Sequence, residues 1–208
     1  MLLDTPATIA IHGNGPVALE AALYARFLGY QVILVDESLL ADLLSDEEAD
    51  ELDLVLSDLS STLGRAALAA HDEEQPIALE SPIASLQQWH SSYLGPLSET
   101  DLLVDQQRWQ VAIQSVTLSE ERLLVAARDR SESITVDAMI DTGGQFPETD
   151  HLHHLPEVAL QGITPAALKD SFQVGLVAIR ELFALLGDRH DLDLYDSVGY
   201  LPGAGDST

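Results

Sequence analysis

The run Ile9-Ala10-Ile11-His12 breaks at Gly13-Asn14-Gly15-Pro16, and apolar residues then recur at three- and four-residue spacing: Leu19, Ala22, Leu23 and Phe27. A second apolar run, Gln31-Val32-Ile33-Leu34-Val35, ends at Asp36. The spacing predicts a strand over 7–12, a helix from Pro16 to Gly29 opened by glycine and proline, and a strand over 31–36. So short a β-α-β unit has one economical solution, two parallel strands joined by a helix lying on one face.

Within that unit, Gly13-x-Gly15-x-x-Ala18 follows a strand and opens a helix, the context in which such glycines bind a pyrophosphate. Gly13 permits the tight turn, Gly15 lets an anion approach the backbone, and the small Ala18 lets helix and strand pack closely. The unpaired amides of the first helical turn face the anion. Asp36 ends the second strand 18 residues after Ala18, where its carboxylate can accept from ribose hydroxyls and would repel a 2′-phosphate.

The pattern over residues 11–29 and 32–36, together with Val136-Asp137-Ala138-Met139-Ile140-Asp141-Thr142-Gly143-Gly144, resembles the flavin- and nicotinamide-binding oxidoreductases that carry two dinucleotide-binding domains. This group includes flavin-dependent monooxygenases and disulfide-reductase relatives. The second segment looks like that family's strand ending in an alanine-threonine-glycine turn near the cofactor. The resemblance implies that Gly13, Asn14, Gly15, Pro16 and Ala18 surround a pyrophosphate, Asp36 meets the adenosine ribose, and Thr142 and Gly143 meet the cofactor's edge. FAD is the implied cofactor, with NAD the alternative and an empty, inherited site the third reading.

Two departures bear on function. The family's late glycine-aspartate motif is missing, because Gly162 is followed by Ile163, and Gly205-Asp206 has no helix after it. No second Gly-x-Gly-x-x-Gly segment exists, so reduction of a bound flavin would need a partner reductase or free reductant. The expected function is a FAD- or NAD-binding oxidoreductase-like protein; the alternative is a non-catalytic Rossmann-like module acting through protein–protein interaction.

Of the 208 residues, 35 are Asp or Glu and only 9 are Lys or Arg, a net charge of −26 that disfavours nucleic acid and anionic membrane surfaces. There are no cysteines, which excludes disulfides, thiolate metal sites and a cysteine nucleophile. No apolar run reaches the roughly 18 residues of a membrane helix, and Met1-Leu2-Leu3-Asp4 lacks a secretory leader's positive start, so the expected location is cytoplasmic.

Beyond the first unit, residues 37–63 read as helical, with a solvated acidic block at 46–51, and Ser85–Tyr93 as a short helix. Runs at 109–116, 122–127 and 133–141 predict an antiparallel meander over about 108–137, its last strand returning to the main sheet. Glu157–Gly162 reads as a strand. Thr164 and Pro165 open a helix to about Leu186 with Leu168, Phe172, Leu176, Ile179, Phe183 and Leu186 on one face. The expected architecture is α/β: one Rossmann-like domain over 1–190, a mainly parallel sheet flanked by helices with a small β-meander, and a flexible tail over 191–208.

His151-x-His153-His154 reads as a polar loop and not as a metal site, since consecutive loop residues do not converge on one tetrahedral ion. No Gly-x-Ser-x-Gly elbow is present, so no catalytic triad is singled out. Trp89, Tyr93 and Trp109 read as packing residues, with stacking on a flavin or base as their alternative role.

Overall fold

The computed structural model describes residues 2–36, 52–72, 78–105, 107–128, 131–160 and 162–197. The acidic block at 46–51, the first part of the expected 37–63 helix and the chain beyond residue 197 lie outside the described residues. Among the described residues no helix is long and apolar enough to cross a membrane.

The opening unit forms as its pattern requires. Strand β1 (Thr8–His12) pairs in parallel with β2 (Gln31–Val35), and helix α1 (Pro16–Phe27) connects them. The sheet extends on both sides, β5 (Gln107–Trp109) beside β2, and β9 (Ala138–Asp141) and then β10 (Leu152–His154) beyond β1. All four pairings are parallel, in the order β10-β9-β1-β2-β5.

Side chains alternate across this sheet. Ile9, Ile11, Val32, Leu34 and Ile140 face a core shared with α1 and α5 (Pro165–Gly187). Ala10, Ile33, Val35 and Met139 face a second core, which the antiparallel β6 (Ile113–Ser119), β7 (Arg122–Ala127) and β8 (Ser133–Val136) cover with Ile113, Leu123, Val125 and Val136. Helices therefore flank one face and the meander the other.

The face expected for the long helix is the one α5 buries, with Gly175 added to it, and the Thr164 hydroxyl accepts from the Ala167 amide at 3.3 Å as its N-terminal cap. Gly175 sits where α5 meets α1, and a Cβ there would strike the Val17 side chain.

Several expected elements are divided or displaced. The 109–116 run is not one strand: Trp109 ends β5, the Asp36 amide donates to its carbonyl, and the chain leaves for the meander before Ile113. The 133–141 run divides at Asp137, whose carboxylate takes the Thr8 amide at 2.7 Å and Arg122 Nε at 2.7 Å, fixing the passage from one sheet to the other. Residues 157–160 form no strand; β10 lies earlier, and after Leu155 donates to Asp141, Pro156 has no N–H with which to extend the ladder.

Residues 52–61 are not helical: β3 (Leu54–Val55) pairs with β4 (Pro82–Ile83), a 3-10 turn follows, and Ser61 caps α2 (Thr62–His71) by accepting from the Gly64 amide at 2.7 Å. The expected 85–93 helix runs further, α3 (Leu86–Trp89) continuing through a π turn (His90–Leu94) into α4 (Gly95–Glu99). The wide turn, in which the Gly95 amide reaches back to the His90 carbonyl, admits Pro96. Toward the end of the chain, α6 (Leu194–Ser197) packs on the core through Leu194 and is tied by an Arg180–Asp193 pair at 3.0 Å.

Gly175→Leu is expected to cost about 1–3 kcal/mol by overpacking the α1–α5 crossing. Urea unfolding at neutral pH checks this; unchanged stability would mean that the helices tolerate a wider separation.

Candidate functional site

The carboxyl ends of β1, β2 and β5 converge on a cavity of about 230 Å³, the position at which open parallel sheets hold ligands. Gly13, Asn14 and Asp36 line it, Leu19 and Leu34 are its apolar contacts, His90, Leu94, Gly95, Ser98 and Glu99 make one wall, and Arg108, Trp109 and Gln110 close the β5 side. Three of the residues singled out in the sequence thus meet in one space.

The two glycines do different work. Gly13 has φ of +121°, and a Cβ on it would collide with the Thr142 hydroxyl, which donates to the His12 carbonyl at 3.0 Å. Its glycine is needed by the fold. Gly15 has an ordinary φ of −73°, and a Cβ there would meet nothing within 4 Å. The protein's own packing does not require glycine at 15, and the space beside it is open. Gly15 is the N-cap of α1 without a side-chain cap bond, and Pro16 fills the first position, so the next amides of the first turn, those of Val17 and Ala18, have no partner within the helix. Ala18 itself is buried, its Cβ behind Gly13.

Thr142 and Gly143 differ in their surroundings, Gly143 being exposed in the loop after β9. Thr142 is buried beneath Gly13. The Gly143 amide donates to Asp141 at 3.1 Å, and the amides of Gln145 and Phe146 donate to the same carboxylate at 2.6 and 3.0 Å. His12 Nδ1 lies 3.0 Å from Oδ1, the oxygen that the Gly143 amide also reaches. Burial pushes the Asp141 carboxyl up, but the bond from His12 and the amides of Phe146 and Gly143 outweigh it, so the group lies below its usual range and stays ionised. His12 Nδ1–H is then the donor. The loop after β9 is folded onto its own carboxylate, and its amides are already committed.

Glu20 is the opposite case. It is fully buried in the second turn of α1, takes one hydrogen bond from the Tyr93 hydroxyl at 2.5 Å, and leaves its other oxygen buried without a partner. Burial raises its pKa to about 7, against the lowering effects of Tyr93, Ser61 and Arg65.

Sequence reasoning missed the 90–99 wall, Arg108, and both buried carboxylate networks. The polar residues of the wall carry no motif. A faint signal was Glu20 itself, a carboxylate inside an otherwise apolar helical pattern. Trp89 and Tyr93 are core residues, as read; Trp109 belongs to the core and also lines the cavity. Among the described residues, no group of three or more acidic or histidine side chains is placed to hold a metal ion.

No family model matches the chain, and no curated protein matches it. Solved structures do. A bacillithiol disulfide reductase from Staphylococcus aureus is similar over 68% of this chain and 38% of its own, at 11% identity and a TM-score of 0.47. CtdE in complex with FAD is similar over 67% and 39%, at 14% identity and 0.44. The halogenase PltM in complex with phloroglucinol and FAD is similar over 65% and 34%, at 13% identity and 0.43. The chain spans less than two-fifths of the length of these structures.

The raised pKa of Glu20 has a sign. Its folded value of about 7 lies above the unfolded 4.5, so its contribution is fully present below the unfolded value and lost as pH rises through the folded one. Between about pH 5 and pH 8 the wild-type protein is expected to lose roughly 2–3 kcal/mol more stability than Glu20→Gln. Parallel urea curves at the two pH values check it; equal losses would remove Glu20 as the source.

Proposed function

We propose that this chain binds a dinucleotide through its adenosine diphosphate half, as a FAD-binding oxidoreductase-like protein, with NAD as the alternative cofactor. The observation that carries the reading is that Gly13 and Asn14 of the glycine turn line one cavity with Asp36, at the carboxyl ends of adjacent parallel strands, with open space at the next glycine, Gly15. Gly13, Asn14 and Gly15, with the amides at the start of α1, would hold the pyrophosphate, with Pro16 and Ala18 shaping that helix end. Asp36 would accept from the ribose diol. Arg108 and Gln110, one strand further along, would border the base.

Size supports this division. The cavity is smaller than the roughly 300 Å³ at which ligand pockets begin, so it suits part of a dinucleotide and not the whole. A bound flavin would supply the electron chemistry. The chain's own contribution is to bind and orient it; Thr142 brings β9 against the glycine turn, and Gly143 stands at the loop beyond.

A second reading, a module that works by binding a protein partner, is favoured by two observations. The amides after β9 are committed to Asp141, and Val174, Val177 and Leu185 are exposed on α5.

Purified protein incubated with excess FAD and desalted is expected to retain visible flavin absorbance; failing that, calorimetry with NAD is expected to show saturable binding. Binding of neither would sink the cofactor reading and favour the partner reading. Gly15→Val is expected to abolish binding while leaving the unfolding midpoint nearly unchanged, because a Cβ at this position meets no protein atom within 4 Å. Asp36→Asn is expected to weaken binding by about 1–2 kcal/mol, the worth of one charge-assisted hydrogen bond. Unaltered affinity in both variants would place the ligand elsewhere.

A further inference from the structure

Four segments meet at the Glu20 carboxylate. Its Oε1 accepts from Tyr93, whose hydroxyl also receives the Ser61 amide at 3.0 Å and lies 3.4 Å from the Ser61 hydroxyl, the cap of α2. Gly64 in that helix is glycine because a Cβ would strike the Tyr93 hydroxyl. Tyr195 on α6 is partly buried, with its hydroxyl buried and unpartnered, and it feels the Glu20 charge. The carboxylate thus joins α1, the start of α2 and the π turn, with α6 alongside.

Both sides of this junction reach the cavity. Leu19 precedes Glu20 on α1 and lines the cavity, while His90, Leu94 and Gly95 flank Tyr93 and make its wall. We propose that Glu20 is a protonation-sensitive strut between the nucleotide helix and the cavity wall, so that ionising it loosens the π turn and weakens ligand binding. The ligand half of this inference rests on the dinucleotide reading; the mechanical half does not.

The physical reason is the unequal treatment of the two oxygens. A neutral carboxyl is held by Tyr93 at modest cost, whereas a charged one leaves Oε2 dry and unpartnered, and a buried unpaired charge is relieved by admitting water or moving the neighbour. The charged and titratable groups around it are Arg65 from α2, Tyr93 from the π turn and Tyr195 from α6, with Tyr24 of α1 and Asp193 next to Tyr195. Arg65 does not pair with the carboxylate; its guanidinium is held by the Ser60 carbonyl and hydroxyl and by Thr62. The turn is the movable member, because π turns are less regularly bonded than the α-helix they interrupt, while α1 is buried along ten consecutive residues.

The test uses the full chain, wild type and Glu20→Gln, across about pH 5.5 to 8.5. Amide hydrogen exchange at residues 90–95 without ligand is expected to rise above the intrinsic pH trend near neutrality in the wild type and to follow that trend in the variant. FAD affinity is expected to fall about tenfold across the same range only in the wild type. His90 on the cavity side is common to both proteins, so the difference between them isolates Glu20. Should the Gln variant fold poorly, Tyr93→Phe serves instead: losing the donor should move the exchange step to higher pH. Exchange that tracks the intrinsic trend in the wild type, or identical profiles in the two proteins, overturns the strut. Absence of FAD binding at every pH overturns the dinucleotide reading alone, and the exchange step then decides the strut by itself.

Discussion

The contact between Gly13 and Thr142 is the constraint on which this structure turns. Thr142 donates both its amide and its hydroxyl to the His12 carbonyl, each at 3.0 Å, clamping the end of β9 to the end of β1. That clamp is possible only because residue 13 has no Cβ and adopts a φ that glycine tolerates. The same turn delivers the chain into α1 with Gly15 outermost and leaves the ends of β1, β2 and β9 level. The cavity, the start of α1 and the Asp141 loop are all set by that leveling.

Two buried carboxylates show how the hydrogen bonds set against burial decide ionisation. Asp141 and Glu20 are equally inaccessible. Asp141 receives three backbone amides and His12, and its pKa falls; Glu20 receives one firm bond from Tyr93, and its pKa rises to about 7. In a chain carrying 35 acidic residues, nearly all of them must be solvated, so a carboxylate placed in the core has a specific role. For Asp141 that role is to knit a loop.

How much of this was legible in the sequence follows from the range of the interactions. The α5 face, the Thr164 cap and the β-α-β unit are written in local periodicity and local hydrogen bonding, and each stands where the residues put it. The division of 109–116 and 133–141 between two sheets was not legible, because alternation reports which face a residue occupies but not which neighbour its backbone pairs with. Only Asp137, gripping Thr8 across 129 positions, marks the second break. The strand at 152–154 escaped notice for a related reason: His153 and His154 are poor strand formers read locally, and parallel pairing to β9 overrides that preference. Of the candidate site, the glycines and Asp36 were legible as a motif, whereas the 90–99 wall was not, since nothing in its polar residues distinguishes a cavity lining from a surface.

The site is therefore asymmetric about Gly13. On the β2 and β5 side a cavity opens, lined by Asn14 and Asp36, beside a helix start whose N-cap makes no side-chain bond. On the β9 side the amides that follow Asp141 fold inward onto its charge. A carboxylate held ionised by four donors is not easily surrendered to a ligand, because each donor released would leave a buried charge less compensated. A dinucleotide bound as proposed would therefore take its holding energy from the adenosine diphosphate half and rest its remainder against a closed surface. That physical condition separates this chain from one built to grip a dinucleotide along its whole length.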